Sequence, residues 1–137
     1  MRFLLDTNVV SDAIKPRPDP GVATWMIHNE AGTAVSEFTI GELYKGAYCL
    51  PAGKKRNSIL AWIAAFQEQF AERFLPVSLE VLTKWGELCG THAAQGRRWP
   101  LDDSLLAATA LVNDLTVVTR NVDDFPPEVR TLNPWKK

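Results

Sequence analysis

Apolar positions along the chain follow two rhythms. The first is a short unbroken run closed by polar turn formers. Phe3-Leu4-Leu5 ends in Asp6-Thr7-Asn8, and the same form returns at Thr33-Ala34-Val35-Ser36, Phe74-Leu75-Pro76-Val77 and Thr116-Val117-Val118-Thr119, and more weakly over Val129 to Leu132. Such runs predict strands of a parallel sheet buried on both faces, because a half-exposed strand would alternate apolar with polar residues. Pro76 cannot donate to a ladder, which places the third strand at an edge.

The second rhythm is a three and four residue spacing between those runs, which predicts helices. A short one covers Val9 to Ile14, and Lys15-Pro16-Arg17-Pro18-Asp19-Pro20 then forces an extended loop. Pro20 opens the next helix, with Val22, Trp25, Met26 and the Ala23 to Ile27 pair as its apolar side, and Asn29 to Gly32 ends it. Glu37 to Tyr48 follows the second strand, with Ser36 as N-cap and Glu42 at its middle. After the break at Leu50-Pro51-Ala52-Gly53, Ile59, Leu60, Ile63, Phe66 and Phe70 mark a long amphipathic face, expected to be core or a self-association surface. Leu79 to Gln95 places Val81, Leu82, Trp85, Leu88 and Cys89 together and stops at Gly96. A last helix runs from Leu101 to about Asn113 and is small and apolar.

Strands alternating with helices predict an α/β fold, a doubly wound parallel sheet with helices on both faces. The 137 residues are one domain's worth, with no repeat, low-complexity segment or linker to split 1–137. Fifteen Lys+Arg against sixteen Asp+Glu leave a net charge of -1, which excludes a protein that binds nucleic acid by global charge alone. Cys49 and Cys89 make no disulfide framework and suit a reducing compartment. No apolar run approaches membrane-spanning length, and Met1-Arg2 leads into a run too short for a secretion signal, so a cytoplasmic protein is expected.

In open α/β sheets ligands sit beyond the carboxyl ends of the strands, where Asp6 falls. Asp6 is equally placed to cap the following helix. On the last helix, the residues three, four, seven and eight after Asp103 are all apolar, so Asp103 is expected to look inward and Asp102 to serve as the cap. An acid on a buried stripe is costly unless paired or metal-bound. Asp6, Glu42, Asp103 and the Asn121 to Asp124 turn each follow a strand, so they are candidates for one acidic pocket. Gathered carboxylates repel one another unless a divalent cation sits among them, and hard oxygen ligands suit Mg²⁺ or Mn²⁺. Such an ion turns a bound water into a nucleophile and neutralises a phosphodiester in its transition state. The chain offers no convincing nucleophile triad, and His92 with Cys89 is too small a set for zinc. Two basic groups stand out: Lys54-Lys55-Arg56, most simply a solvated helix end but one whose charge opposes the dipole of the helix it begins, and Arg97-Arg98 beside Trp99, able to hold phosphate and stack a base and equally readable as a plain surface turn.

Leu5-Asp6-Thr7-Asn8, the Glu42 helix, Asp103 followed by Leu106-Ala107-Ala108-Thr109-Ala110, and Thr119-Arg120-Asn121 together resemble the PIN-domain ribonucleases. The closing Leu132-Asn133-Pro134-Trp135 resembles the VapC and FitB-type toxins of bacterial toxin-antitoxin pairs. The resemblance covers nearly the whole chain. It implies a PIN-like α/β/α sandwich on a central five-stranded parallel sheet and a Mg²⁺-dependent endoribonuclease. It further implies a homodimer or higher assembly with a small antitoxin that blocks the site, DNA being bound only through that partner. Asp6, Glu42 and Asp103 match three of the family's acids and its metal ligands; Thr7, Asn8 and Thr119 match supporting positions. The fourth place is Asn121 or Asp124. Arg97, Arg98, Lys54, Lys55, Arg56 and Arg120 are the candidate RNA contacts.

Two other phosphoryl-transfer classes fit less well. A haloacid dehalogenase-type phosphotransferase needs a second aspartate where this chain has Asn8, and a response-regulator receiver needs a lysine where it has Thr119-Arg120-Asn121. The remaining alternative is a catalytically silent PIN-like module that binds RNA or a partner. Inward-facing acids disfavour it, since without metal they repel phosphate.

Overall fold

The computed structural model describes residues 1–135. Strands β1 (Phe3–Leu5), β2 (Thr33–Ser36), β3 (Phe74–Leu75), β4 (Thr116–Val118) and β5 (Thr131–Leu132) form one sheet in the order β3-β2-β1-β4-β5. Every neighbouring pair is parallel, and Phe3 is in register with both Thr33 and Thr116. The helices are α1 (Thr7–Asp12), α2 (Pro20–Asn29), α3 (Glu37–Tyr48), α4 (Lys54–Gln69), α5 (Leu79–Ala94) and α6 (Leu101–Asn113).

The two-residue period of the strands distributes their side chains between two cores. Phe3, Leu5, Val35 and Val118 face α1 to α4, where they meet Val9, Val22, Leu43, Ile63 and Phe66. Leu4, Ala34 and Val117 face α6 through Leu106, Ala107 and Ala110. Complete burial of each such Leu, Val or Phe contributes about 1.5–3 kcal/mol, so the short strands are held by layers on both sides. A further cluster of Val81, Leu88 and Ala108 seats α5 on the outside of α6.

Several boundaries differ from the sequence reading. The first helix begins at Thr7 instead of Val9, because Asp6 is its N-cap. The third strand stops at Leu75, one residue before Pro76, and the fifth is only Thr131–Leu132. Ile27 is 81% exposed and Leu82 40%, so neither belongs to the apolar side expected of it. Each lies one residue, about 100° around the helix, from the residue that does pack, Met26 and Val81 respectively. The aromatic stripe of α4 is core: Trp62, Phe66 and Phe70 stack in succession with centroids 5.3 and 4.3 Å apart, and the last two are buried. Buried Asp12 accepts the main-chain N–H of Asp19 at 2.9 Å and so ties the proline-rich loop back to α1.

Candidate active site

β1 and β4 end side by side, and the N–H of Asp6 donates to the Val118 carbonyl at 2.9 Å. This tie puts Asp6 next to Thr119, the residue following β4. Asp6 Oδ1 accepts the Thr7 N–H at 2.6 Å, and Oδ2 accepts the Thr119 hydroxyl at 2.8 Å. Asp6 therefore caps a helix and presents its carboxylate at the sheet's carboxyl edge at once. Thr119 is fully buried; its Oγ1 also receives the Asn121 N–H at 3.1 Å and the Asn8 side-chain amide at 3.4 Å. The Thr7 hydroxyl donates to Glu42 Oε1 at 2.7 Å, which joins α1 to the middle of α3.

α6 brings the third acid. Its start is anchored by buried Ser104, whose hydroxyl accepts the Trp85 indole N–H at 2.9 Å and donates to the Leu101 carbonyl at 3.0 Å. Half-buried Asp103 has its carboxyl pushed up to about 7, by burial first and then by the charges of Asp102, Asp6, Asp124 and Glu42. Burial also raises Asp6, against the bonds from Thr119 and Thr7 that lower it, with Asp102 and Asp124 adding to the rise. Glu42 is raised for the same reason, with Thr7 and Lys45 opposing burial and the Asp102 and Asp6 charges. All three carboxyls are thus pushed up by burial first, and neighbouring negative charge adds to that rise.

Asp102 is the residue that the sequence reading missed. It is not the cap expected of it: Pro100 holds that position with no side-chain bond, and Asp102 lies inside the first turn, where its Oδ1 accepts the Asp103 N–H at 2.9 Å; among the neighbouring charges its carboxylate acts most strongly on all three acids. With Asp6 and Glu42 it lines a cavity of about 10 Å³, floored by Leu105 and Leu106. That is room for about one water-sized sphere. The signal lay in the spacing, since Asp102 stands three and four residues before those two leucines. Of the two residues left open for the fourth place, Asp124, in a 3₁₀ turn at Val122–Asp124, adds its charge to Asp6 and Asp103. Asn121 engages Thr119 through its main chain.

Among the described residues, no three His, Cys, Asp or Glu side chains close a metal cage by themselves. Mg²⁺ commonly uses one or two carboxylates and keeps several waters, so this all-oxygen, negatively crowded donor set fits such an ion without a closed cage.

The basic residues separate. Lys55 lines a cleft of about 580 Å³ that reaches Thr7 and Glu42, and Lys54 is exposed beside it at the start of α4. Arg56 is committed elsewhere: Nε donates to the Leu50 carbonyl at 3.0 Å and Nη2 to that of Tyr48 at 3.2 Å, fastening α3 to α4. Arg97 lines a different cleft, with His92, Gln95 and Glu128, that none of the candidate acids enters. Arg98 is exposed, whereas Trp99 packs between the two clusters around α6 and lies 4.7 Å from His92. Its ring is partly buried against both, which favours packing over the base stacking that was one of the two readings of this loop. Arg120 covers the Trp135 ring at 5.3 Å, and its N–H reaches Asn8 Oδ1 at 3.4 Å.

A sequence model of the PIN domain matches residues 3–126. The chain belongs to the PIN domain family. The matched span takes in Asp6, Glu42, Asp103, Thr119 and Asp124, the positions that converge at the sheet's carboxyl edge. This PIN domain is 32% identical to toxin FitB of Neisseria gonorrhoeae over 136 residues, covering 97% of this chain and 98% of that one. It is 30% identical to VapC ribonuclease Y4jK of Sinorhizobium fredii over 137 residues, 98% of each. A solved structure of FitAB bound to an IR36 DNA fragment superposes with a TM-score of 0.89 at 30% identity, covering 98% of this chain and 96% of that one.

Proposed function

We propose that this PIN domain is a Mg²⁺- or Mn²⁺-dependent endoribonuclease and the toxin of a toxin-antitoxin pair, acting in the cytoplasm. The observation that carries this reading is the convergence of Asp6, Glu42 and Asp103, all raised by burial and by the negative charges around them, with Thr119 and Thr7 bonded to Asp6 and Thr7 to Glu42. Relatives that cover nearly the whole chain support it, one named a ribonuclease and another a toxin.

Asp6 and Glu42 would hold the ion, with Asp103 completing the negative field. When bound, it supplies a water of lowered pKa and offsets charge on the phosphodiester. Thr119 and Thr7 keep the carboxylate of Asp6 in one orientation, and Thr7 does the same for Glu42. Asp103, its carboxyl pushed up to about 7 by burial and the neighbouring acids, would carry a proton part of the time near neutral pH, and a bound cation would favour its ionised form.

The FitAB complex, solved bound to a DNA fragment, supports a partnered reading, in which a small antitoxin blocks the site and the pair binds DNA through that partner. An apolar hollow of about 320 Å³ between α1, α2 and α4, with Val9, Met26 and Trp62 in its walls, is a surface for that partner. A homodimer within that assembly is part of the same reading.

The test is cleavage of total RNA by the purified protein with Mg²⁺ or Mn²⁺, with chelator, and by Asp6→Asn. Discrete products that require both metal and Asp6 establish the nuclease. RNA bound but left intact under all three conditions transfers the reading to a silent binding module.

A further inference from the structure

α6 begins without a side-chain cap. Pro100 stands at its N-cap position and bonds to nothing in the first turn through its ring, yet that turn carries Asp102 and Asp103 side by side. Uncapped helix ends fray. Something else must hold these two carboxylates beside Asp6 and Glu42.

A chain of hydrogen bonds from α5 reaches the same turn. The Trp85 indole N–H donates to Ser104 Oγ at 2.9 Å, and the Ser104 hydroxyl donates to the Leu101 carbonyl at 3.0 Å. The chemistry of the groups fixes its direction. An indole nitrogen is a donor only, so the hydroxyl proton points away from it and toward the carbonyl. The Leu101 carbonyl carbon is bonded to the Asp102 nitrogen, and Ser104 follows Asp103. Both acids therefore lie between the two ends of the bond from Ser104 to Leu101. The Ser104 N–H adds a second tie, to the Pro100 carbonyl at 3.0 Å.

Stability does not call for this arrangement. Ser104 is fully buried, and Trp85 packs against the cluster that joins α5 to α6. Alanine and phenylalanine would fill much of the same space, and replacing both partners of a buried hydrogen bond by apolar groups can be nearly neutral. What the polar pair adds is direction. Trp99 gives the contrast: it packs against the same cluster, but its indole N–H is buried with no partner among the described residues and so orients nothing.

We infer that Trp85 is a positioning residue: through the Ser104 hydroxyl and the Leu101 carbonyl its indole fixes the first turn of α6, and with it the placement of Asp102 and Asp103 beside Asp6 and Glu42. The inference rests on the nuclease reading above and extends that site's support to α5, a helix that supplies none of the candidate acids.

Trp85→Phe keeps an aromatic ring and removes the donor; Ser104→Ala removes the hydroxyl. Leu88→Ala loosens the same α5–α6 interface without touching the chain of bonds. Each purified protein is read twice, by Mn²⁺ affinity from the free-ion electron paramagnetic resonance signal and by steady-state cleavage of RNA in Mg²⁺. Ser104→Ala should lose about tenfold in Mn²⁺ affinity and in kcat, the scale expected of a group that orients a metal ligand, with KM within about twofold of the parent. Trp85→Phe should lose about threefold or more in both, since its loss frees the hydroxyl to rotate. The double variant should lose no more than Ser104→Ala alone, because one chain is broken once. Leu88→Ala should melt lowest of the set, through the cavity it leaves, and keep the parent's Mn²⁺ affinity and kcat.

Parent values of Mn²⁺ affinity and kcat in a folded Ser104→Ala or Trp85→Phe protein overturn the inference, and a parent that cuts RNA keeps the nuclease reading through that loss. Losses that multiply in the double variant, or that Leu88→Ala shares, also overturn it and assign the effect to packing. A parent that binds Mn²⁺ without cutting, and whose affinity falls in Ser104→Ala and Trp85→Phe, keeps the positioning role and removes the nuclease.

Discussion

From Ser104 to Ala110 helix α6 is buried without a break, its alanines letting α5 close on one side and the sheet on the other. One turn earlier the same helix carries Asp102 and Asp103, whose charges fall on each other and on Asp6 and Glu42. The body of the helix contributes to stability through dispersion and apolar burial, which need small side chains and close approach. The first turn opposes stability, because carboxylates lose hydration there and face like charge. The positive end of the helix dipole returns only a fraction of that cost, about 0.3–1 kcal/mol per acid. Packing and chemistry are thus separated by a single turn, and the rigid part holds the strained part in place.

Asp103→Asn separates the two most sharply. Cleavage should fall below detection, while the metal-free protein gains about 1 kcal/mol, or roughly 4 °C for a chain of this size. A lower melting temperature in that variant would mean that Asp103 serves the fold.

The reverse change, Ala108→Leu, inserts bulk where α5 meets α6 and should cost about 1–3 kcal/mol by overpacking. Assayed well below its melting temperature, it should cut RNA at a rate close to the parent's. Loss of cleavage in a folded Ala108→Leu protein would show that the helix body also controls the chemistry.

The pH dependence follows from Asp103. Its folded value of about 7 lies above the ordinary 3.8. Between those values the folded state keeps the proton and the unfolded state releases it. The stability it contributes is complete below about pH 4 and is lost as pH rises through about 7. Thermal melts of the metal-free protein should fall between about pH 5 and pH 8, and Asp103→Asn should flatten that decline. Added Mg²⁺ should restore stability at the alkaline end in the parent more than in the variant.

The smallest effect is expected away from both regions. Arg97→Ala with Arg98→Ala should weaken RNA binding by less than about twofold, since both side chains are exposed, where salt screens their charge, and Arg97 lines a cleft that none of the candidate acids enters. A larger loss would extend the RNA surface over the α5–α6 loop.

Much of this was legible in the residues. The strand runs, the helices between them and the edge position of the proline-limited strand are local matters of periodicity, and the structure reproduces them with boundary shifts of one or two residues. Larger departures came where one residue's position around a helix decides its fate, as for Ile27 and Leu82, because a spacing of three or four marks a broad stripe and not its rim.

The site shows the same division. Asp6, Glu42 and Asp103 could be singled out because each is an acid following a buried run or lying on an apolar stripe. Their common field, the role of Thr119 in holding Asp6, and the entry of Asp102 beside Asp6 and Glu42 depend on segments far apart in the chain, 113 residues in the case of Thr119 and Asp6. The commitment of Arg56 to main-chain carbonyls and the packing of Trp99 likewise depend on neighbours that no local pattern names. The sequence by itself determined the elements, because hydrogen bonding and apolar periodicity act between near neighbours in the chain. Only the tertiary structure decided which charges share a pocket and which cations face it. Electrostatic coupling depends on distance and burial in space, and those exist only after the sheet has brought its strand ends together.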